Sequence, residues 1–505
     1  MAVIELLYAQ NSITRAPGAL QQTLAFWVLV ENLAYDKQVT VHWAGEDGRF
    51  HALPAWFVYN GGENREVWCA RATRVSGEES PLPGNVRFRL ACAVDGRTHT
   101  DDAGDGREHT LQADAGIRLG HGVRILHTDH VPALANDQRA LPVTVAVADG
   151  RGQAQPRRVF VRWTTDDWQT YQDTPCRRRA NYWDGALQSA ARNPNQYGVA
   201  VWTARLKLGD AYRVQYVVGC ETAAGLLWDN NFGRDYAAAR ARLGVLTLNL
   251  HCYQEEEQDA KLTRIAQAIN DLDVDFVCLQ EVAENWNNGH GDWDSNAARI
   301  IHARLQRNYH LFTDWSHRGF DRYREGVAIL SRHPLLKKEA RYVSASQDAH
   351  SIHARKVVMI QVRVPYVGLI NVFSAHLSWW EDGFAQQFAA LRDWASQAHT
   401  RHVAATLLCG DFNVQAGSRG FREVVRARDF EDQFLKVQAR PVFDQVFRQP
   451  TPQWPSYFEH DGRIDYIFLR RDSRLRAVAA RLLFTPVDYG LVSDHPGYYA
   501  AFEPK

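Results

Sequence analysis

Leu407-Leu408-Cys409-Gly410-Asp411-Phe412-Asn413 is an apolar run that ends in Gly-Asp-x-Asn. Read as a strand, it fixes where its last polar side chains go. Period-2 alternation sends Asp411 and Asn413 to one face and Phe412 to the other, into packing. A carboxylate beside a carboxamide can activate a water and hold an oxyanion. The same residues also suit a plain turn, so the reading depends on whether comparable fragments recur.

They recur on both sides. Val245 to His251 alternates and ends in polar residues, and Gln258 to Leu272 carries a helical face of Leu262, Ile265, Ile269 and Leu272. Val274 to Leu279 is a buried-strand run with Gln280-Glu281 at its end, and Leu369 to Ala375 runs straight into His376. Glu325 to Arg332 and Val357 to Val362 are further strands, and Phe384, Phe388, Leu391 and Ala395 mark a helix. Ile464 to Leu469 holds Asp465 near its start, and Ser493-Asp494-His495 precedes a last strand. Polar residues thus recur at strand termini: Asn249, Glu281, His376, Asp411, Asn413, Asp465, Asp494 and His495. Strand ends gather at one edge of a sheet, so this set is expected to converge.

These fragments, in this order across residues 241–505, resemble the endonuclease/exonuclease/phosphatase superfamily, the fold of deoxyribonuclease I, bacterial sphingomyelinases and inositol polyphosphate 5-phosphatases. The resemblance implies a four-layer αββα sandwich and metal-dependent hydrolysis of a phosphoester. It implies that Glu281 holds Mg²⁺ (or Mn²⁺, which suits the same oxygen ligands), with Asn249 as second ligand or orienter. Asp411 would deprotonate the attacking water, Asn413 would steady the phosphoryl oxygens, and His376 and His495 would donate to the phosphate. Asp465 would pair with His495 and favour its charged form. Asp494 would bind metal or orient His495, and Arg355 is a candidate phosphate ligand or a surface charge. His251, Arg332 and His333 are read as structural.

Residues 1–240 read as all-β, with short alternating segments split by Gly, Pro, Asn and Asp. They contain a repeat. Val39-Thr40-Val41-His42-Trp43 precedes Glu46-Asp47, and Val159-Phe160-Val161-Arg162-Trp163 precedes Asp166-Asp167 at the same offsets. Val86 to Leu90 is matched to Tyr212 to Tyr216, and His99-Thr100-Asp101-Asp102 to Trp228-Asp229-Asn230-Asn231. Two copies of about 100 residues suggest tandem immunoglobulin-like sandwiches, 1–120 and 121–240. The second copy resembles starch- and glycogen-binding modules, on Val159 to Trp168 and Trp228 to Tyr236. That resemblance makes Trp168, Asn230 and Tyr236 candidate sugar contacts, by ring stacking and amide hydrogen bonds; the alternative is that they fill a core and a turn. The first copy has Gly48 where the second has Trp168, and reads as degenerate.

Lys+Arg and Asp+Glu balance at 58 each over 505 residues, so the basic excess of a duplex-DNA binder is missing and nucleic acid is not the expected partner. Seven scattered Cys fit neither a disulfide framework nor a zinc site. Neither a signal peptide nor a membrane span is read, so a cytoplasmic setting is expected. After His376, Leu377-Ser378-Trp379-Trp380-Glu381-Asp382-Gly383-Phe384 resembles a branch that includes maltose 6'-phosphate phosphatase, as does Asn249-Leu250-His251 with Glu255 to Gln258 and Lys261. With the glucan-type module, this implies a phosphorylated maltose or α-glucan oligosaccharide as substrate and a glycogen- or starch-like partner. Trp379 and Trp380 would stack on the sugar, unless one of them packs the loop on its helix. The alternatives are a sphingomyelinase-like phosphodiesterase, a nuclease, or a glycogen-associated scaffold with an inactive phosphatase-like domain.

Overall fold

A computed structural model describes residues 2–16, 19–77, 81–101, 108–128, 130, 132–149, 154–179, 196–287, 289–319, 321–437 and 462–505. The chain divides into two compact units, Met1–Arg240 and Ala241–Lys505.

Among the described residues, the first unit is built almost wholly from strands. In order they are β1 (Ile4–Ala16), β2 (Ala19–Glu31), β3 (Lys37–Ala44), β4 (Phe50–Pro54), β5 (Trp56–Asn60), β6 (Arg65–Val75), β7 (Val86–Val94), β8 (Arg97–Asp101), β9 (His109–Leu111) and β10 (Ile117–Leu119). Then come β11 (Ile125–Thr128), β12 (Ala140–Ala148), β13 (Arg158–Thr164), β14 (Gln172–Pro175), β15 (Arg177–Arg178), β16 (Val199–Lys207), β17 (Arg213–Thr222), β18 (Gly225–Asp229) and β19 (Tyr236–Ala239). The repeat seen in the sequence is a repeat of topology. One sheet of the first half runs β4-β3-β7-β8 with β9 also on β7; its counterpart runs β14-β13-β17-β18 with β19 also on β17. The facing sheets run β1-β2-β6-β5, with β10 added on β1, and β11-β12-β16-β15.

Register corrects the alignment read from the sequence. Trp43 pairs with Phe88, and Trp163 with Tyr216, so Phe88 matches Tyr216, two residues from the expected match with Leu90. Leu90 pairs with Asp101, and Val218 with Asp229. Asp101 therefore matches Asp229, and Thr100 matches Trp228, a shift of one. The two carboxylates do the same work. Asp101 Oδ2 accepts the Leu6 N–H at 2.9 Å, and Asp229 Oδ2 accepts the His127 N–H at 2.5 Å. Residues 102–107, the rest of that first-half turn, lie outside the described set.

The second half encloses a buried polar knot. Tyr236 donates to both oxygens of Asp229 at 2.9 and 3.0 Å. Tyr216 Oη lies 2.9 Å from His127 Nε2 and 3.1 Å from His130 Nδ1. Burial pulls His127 down to about 3 and His130 to about 4, and pushes Asp229 up to about 6. Arg240 closes this half: its buried guanidinium donates to the carbonyls of Ala135, Asn136, Gln138, Gly209 and Ala211.

The second unit has β20 (Leu243–Asn249), α1 (Gln258–Leu272), β21 (Phe276–Asn287), β22 (His290–Gly291), α2 (Ala297–Ala303), β23 (His310–Gly319), β24 (Tyr323–Ser331), β25 (Leu335–Tyr342), β26 (Lys356–Val364) and β27 (Gly368–His376). It continues with α3 (Phe384–Ala398), β28 (Val403–Asp411), α4 (Arg419–Arg426), β29 (Phe430–Asp432), α5 (Gln433–Val437), β30 (Asp465–Arg470), β31 (Leu475–Leu483) and β32 (Gly497–Pro504). One sheet runs β23-β24-β21-β20-β32-β31 and the other β25-β26-β27-β28-β30-β29. The sheets meet face to face, where Gln280 Nε2 donates to Ser374 Oγ at 3.0 Å. Leu262, Ile265 and Ile269 of α1 and Ile301 of α2 pack with Leu246, Leu248, Val277 and Leu279 on the outside of the first sheet. Phe384, Phe388 and Leu391 of α3 and Val424 of α4 pack with Phe373, Leu408 and Phe468 on the outside of the second. The result is four layers, helix–sheet–sheet–helix. All seven cysteines are buried and free of disulfides. Among the described residues, no helix is long and apolar enough to cross a membrane.

Candidate active site

Three backbone devices aim the site residues. On β21 the register slips between Leu279 and Val282, and Glu281 there has φ 47°. This bulge lifts its side chain out of the alternation of the strand. On β28, Gly410 has φ 143°, and a Cβ there would sit 1.9 Å from the Ala375 carbonyl oxygen. Only glycine lets β27 and β28 approach so closely, and the next residue pair in register is His376 with Asp411. Antiparallel pairing then puts Asp465, the first residue of β30, opposite Asp411.

The predicted residues converge. Asn249 Nδ2 donates to Glu281 Oε1 at 2.8 Å and to Asp411 Oδ2 at 3.0 Å. His376 Nε2 lies 3.8 Å from Asp411 Oδ2 and 4.0 Å from Glu281 Oε1. His495 Nε2 lies 3.9 Å from Asp411 Oδ2 and 3.8 Å from Asp494 Oδ1, while its Nδ1 meets Asp465 Oδ2 at 2.8 Å. Arg355 is half-buried and turned into the cleft. Its Nη1 stands 3.1 Å from His376 Nδ1, and its Nε donates to Ser378 Oγ at 3.3 Å.

Four expectations change in detail. Asn413 does not share a strand face with Asp411, because β28 stops at Asp411 and Asn413 turns left-handed at φ 51°. The pair is joined instead by the Asn413 N–H donating to Asp411 Oδ1 at 2.8 Å, while Asn413 Nδ2 donates to the Leu377 carbonyl at 2.9 Å. Asn249 Oδ1 accepts the His251 N–H at 3.0 Å and its amide nitrogen faces the carboxylates, the arrangement of an orienter. Trp380 packs against Phe384 of α3 and lies under the Arg419 guanidinium at 4.8 Å, so it is the Trp that fixes the loop. Tyr236 is 1% exposed, bonded to Asp229 and stacked on Tyr216, so it cannot offer a ring face to a sugar.

The other two sugar candidates lie at the surface. Asn230 is exposed, but its Oδ1 accepts the Gly233 N–H at 3.0 Å within the turn. Trp168 is half-buried at φ 64°, a strained conformation for a bulky residue, and its Nε1 donates to Asp235 Oδ2 at 3.0 Å. Gly48 takes the matching left-handed turn in the first half, at φ 70°. Nearby, Trp228 and Tyr171 are exposed on one sheet face, with the Arg162 guanidinium 5.3 and 4.4 Å from their rings.

Two groups escaped the sequence reading. Glu325 faces His376 Nδ1 at 4.0 Å and His317 Nε2 at 3.8 Å. It is the third residue of β24, which runs antiparallel to β21, so the first residues of β24 lie beside the last residues of β21, Glu325 opposite Ala283; a search of strand ends alone passes over strand beginnings. His251, read as structural, joins Glu255 (2.7 Å) and Asp494 (3.7 Å) in a cluster next to His495. Arg332 and His333 are structural as read, bound to Asp273 and Asp275.

Charge within the cleft is divided. Burial, with Asp465 beside it, raises the Asp411 carboxyl. Burial and Glu281 raise Glu325. Burial, then Arg355, His317 and His495, hold His376 well below the usual imidazole range. Burial opposes charge on His495 too, yet Asp465, Asp494 and Asp411 outweigh it and raise His495 well above that range. The site therefore offers a neutral imidazole, an imidazolium and a carboxylate of raised basicity, the mixture that acid–base chemistry needs.

Residues 246–495 match the Endonuclease/Exonuclease/phosphatase family. This segment is an endonuclease/exonuclease/phosphatase domain. Members of that family are hydrolases, phosphatases and nucleases among them, and generally depend on divalent metals. The residues of the domain fit such an ion. One ligand atom each of Glu281, His376 and Asp411 lie within 4.8 Å of one another, and the carboxylate oxygens suit a hard cation. Similar solved structures include an endonuclease/exonuclease/phosphatase family protein from Leptotrichia buccalis (24% identity, 52% of this chain and 99% of that one, TM-score 0.45). Others are the mannosyl-6-phosphatase of Bacteroides thetaiotaomicron (17%, 52% and 99%, 0.39) and the human Nocturnin catalytic domain with bound sulfate (16%, 52% and 95%, 0.41). No curated protein matched the chain.

Proposed function

We propose that the second unit is a divalent-metal-dependent phosphomonoesterase acting on a phosphorylated maltose or α-glucan oligosaccharide. The observation that carries the hydrolytic part is the meeting of Asn249, Glu281, His376, Asp411 and His495 within hydrogen-bonding or ion-pairing reach. Glu281, oriented by Asn249 and with Asp494 as a further carboxylate, would hold a Mg²⁺ or Mn²⁺ ion, which polarises a phosphoryl oxygen and offsets its charge.

The chain's own groups do the rest. Asp411 takes the proton of the attacking water. Asp465 holds Nδ1 of His495, so its Nε2–H is left to donate to the phosphate. Arg355 brings a half-buried cation to the phosphoryl oxygens beside His376, and Asn413 steadies the turn that carries Asp411. Such fixed donors need no reorganisation as charge develops. Trp379 would stack on the sugar.

The sugar part rests on the stretches around His376 and Asn249 and on the first unit. We read its halves, 1–120 and 121–240, as immunoglobulin-like modules, the second binding glycogen- or starch-like polysaccharide. Its ring faces are Trp228 and Tyr171, flanked by Trp168, in place of Tyr236. Hydrolysis of maltose 6'-phosphate, phosphorylated glucan, sphingomyelin and plasmid DNA with Mg²⁺, side by side, tests the substrate. Turnover of lipid or DNA alone would end the sugar reading. Retention on amylose beads, lost with Trp228→Ala, tests the module.

A further inference from the structure

Away from the carboxylate–imidazole cluster, the second unit has a pocket of about 90 Å³ whose lining includes Glu284, Trp293, Asn296, Asp314, Trp315 and Arg324. Its charges are already matched. Arg324 Nη2 meets Glu284 Oε1 at 2.6 Å, Asn296 Nδ2 donates to Glu284 Oε2 at 3.0 Å, and Lys356 Nζ meets Asp314 Oδ2 at 3.2 Å. These pairs leave no net charge to attract a phosphate or an ammonium group, and they hold the lining rigid.

What the pocket offers is indole and hydrogen-bonding atoms. Trp293 is 47% exposed. Trp315 is engaged by Arg324 and Lys356, which lie over its ring 5.7 and 5.8 Å from the centroid, so the indole open to a ligand is that of Trp293. An apolar ring face rimmed by hydroxyls fits such a lining: the face lies on indole, and the hydroxyls donate to carboxylate lone pairs and accept from guanidinium N–H.

We propose that this pocket is a subsite for a neutral glycosyl unit of the substrate. The inference rests on the reading of the substrate as a sugar phosphoester. Glu284 stands three residues beyond Glu281 on β21, about 10 Å along the strand. The sugar held here is therefore not the one that carries the reacting phosphate but a ring further along the oligosaccharide. The pocket would select chain length, where the cleft selects the phosphate.

The test uses the whole protein in a Trp228→Ala background, which removes the main ring of the first unit. Unphosphorylated maltotriose is titrated calorimetrically, with and without Trp293→Ala, and with Trp293→Phe as the conservative change. Trp293→Ala is expected to weaken maltotriose binding about five- to tenfold, with much of the loss restored by Phe. Equal binding by all variants overturns the subsite. So does binding of AMP in place of maltotriose, because a nucleobase also stacks on indole and arginine. A loss of maltotriose binding in a protein that hydrolyses no sugar phosphate would sink the proposed substrate while leaving the subsite standing.

Discussion

Nη1 of Arg355 stands 3.1 Å from Nδ1 and 3.2 Å from Nε2 of His376, so it faces both ring nitrogens and bonds neither head-on. A cation in that position opposes protonation of the ring. Replacing Arg355 with Gln should raise the basicity of His376 and remove one donor to the phosphate. The expected loss in kcat is about 10²–10³-fold, as for other preorganised donors. Steady-state kinetics, with NMR titration of the imidazole, would read both effects. An unchanged kcat would place Arg355 outside the reaction.

Asn249 keeps the Glu281 and Asp411 carboxylates together by donating to both. Asn249→Ala leaves the two anions facing each other without that amide. Apparent affinity for Mg²⁺ should fall about 10–100-fold, as when an orienting partner of a metal ligand is removed. Activity measured against metal concentration shows this as a shifted midpoint. Recovery at high Mg²⁺ separates it from misfolding.

The pH profile should have two limbs with different owners. In the proposed reaction Asp411 works ionised and its pKa is raised, so activity appears as pH climbs through that value. In the same proposal His495 works protonated and its pKa is also raised, so activity disappears only as pH climbs further, through the value of His495. Asp465 is the strongest support for that second charge. Asp465→Asn should therefore move the alkaline limb to lower pH. A profile whose alkaline side stays fixed would contradict the assignment of His495.

Acid should loosen the first unit. An unfolded histidine titrates near ~6.5, whereas folded His127 and His130 do so at about 3 and about 4. Between those values the unfolded chain holds more protons, so stability drops as pH falls below the ordinary histidine value. Asp229 works the other way: its folded carboxyl, at about 6, keeps a proton that the unfolded one releases, which favours folding at the acid end of its window. Two histidines outweigh one carboxyl, and the melting temperature of this unit should fall between pH 7 and pH 4.5. Scanning calorimetry would detect the reverse trend equally well.

Arg240→Ala should destabilise the same unit by about 3–5 kcal/mol, since it strands several buried carbonyls at once. Arg240→Lys should be only a partial repair, because an ammonium group has three donors for the five carbonyls that the guanidinium reaches. Chemical denaturation of the three proteins gives the comparison.

Much of the catalytic unit was legible because its strands are buried on both faces and end in polar residues. α1 spans Gln258–Leu272 as its apolar periodicity required, and β27 ends on His376. Glu281 was legible as a residue, but the bulge that aims it was not, since a slipped register leaves no mark on a hydrophobic run. Glu325 was hidden by direction: only pairing tells that the start of one strand adjoins the end of another. In the first unit the repeat was visible, while its alignment slipped by one or two residues, because alternating strands match almost as well in a neighbouring register. Tyr236 misled for a related reason. An aromatic at the end of a turn motif reads as exposed until its hydroxyl is found on a buried carboxylate.

The like-for-like wiring of the two halves before Arg240 carries a message about ancestry. Nine strands in one order, each half tying a carboxylate back to its own opening strand, are what duplication of a single gene segment leaves behind. Phe50 already occupies the place of Tyr171, and threonine stands at position 100 where the sister half has Trp228. A single substitution, Thr100→Trp, would give the first half the counterpart of the ring pair that the second half carries.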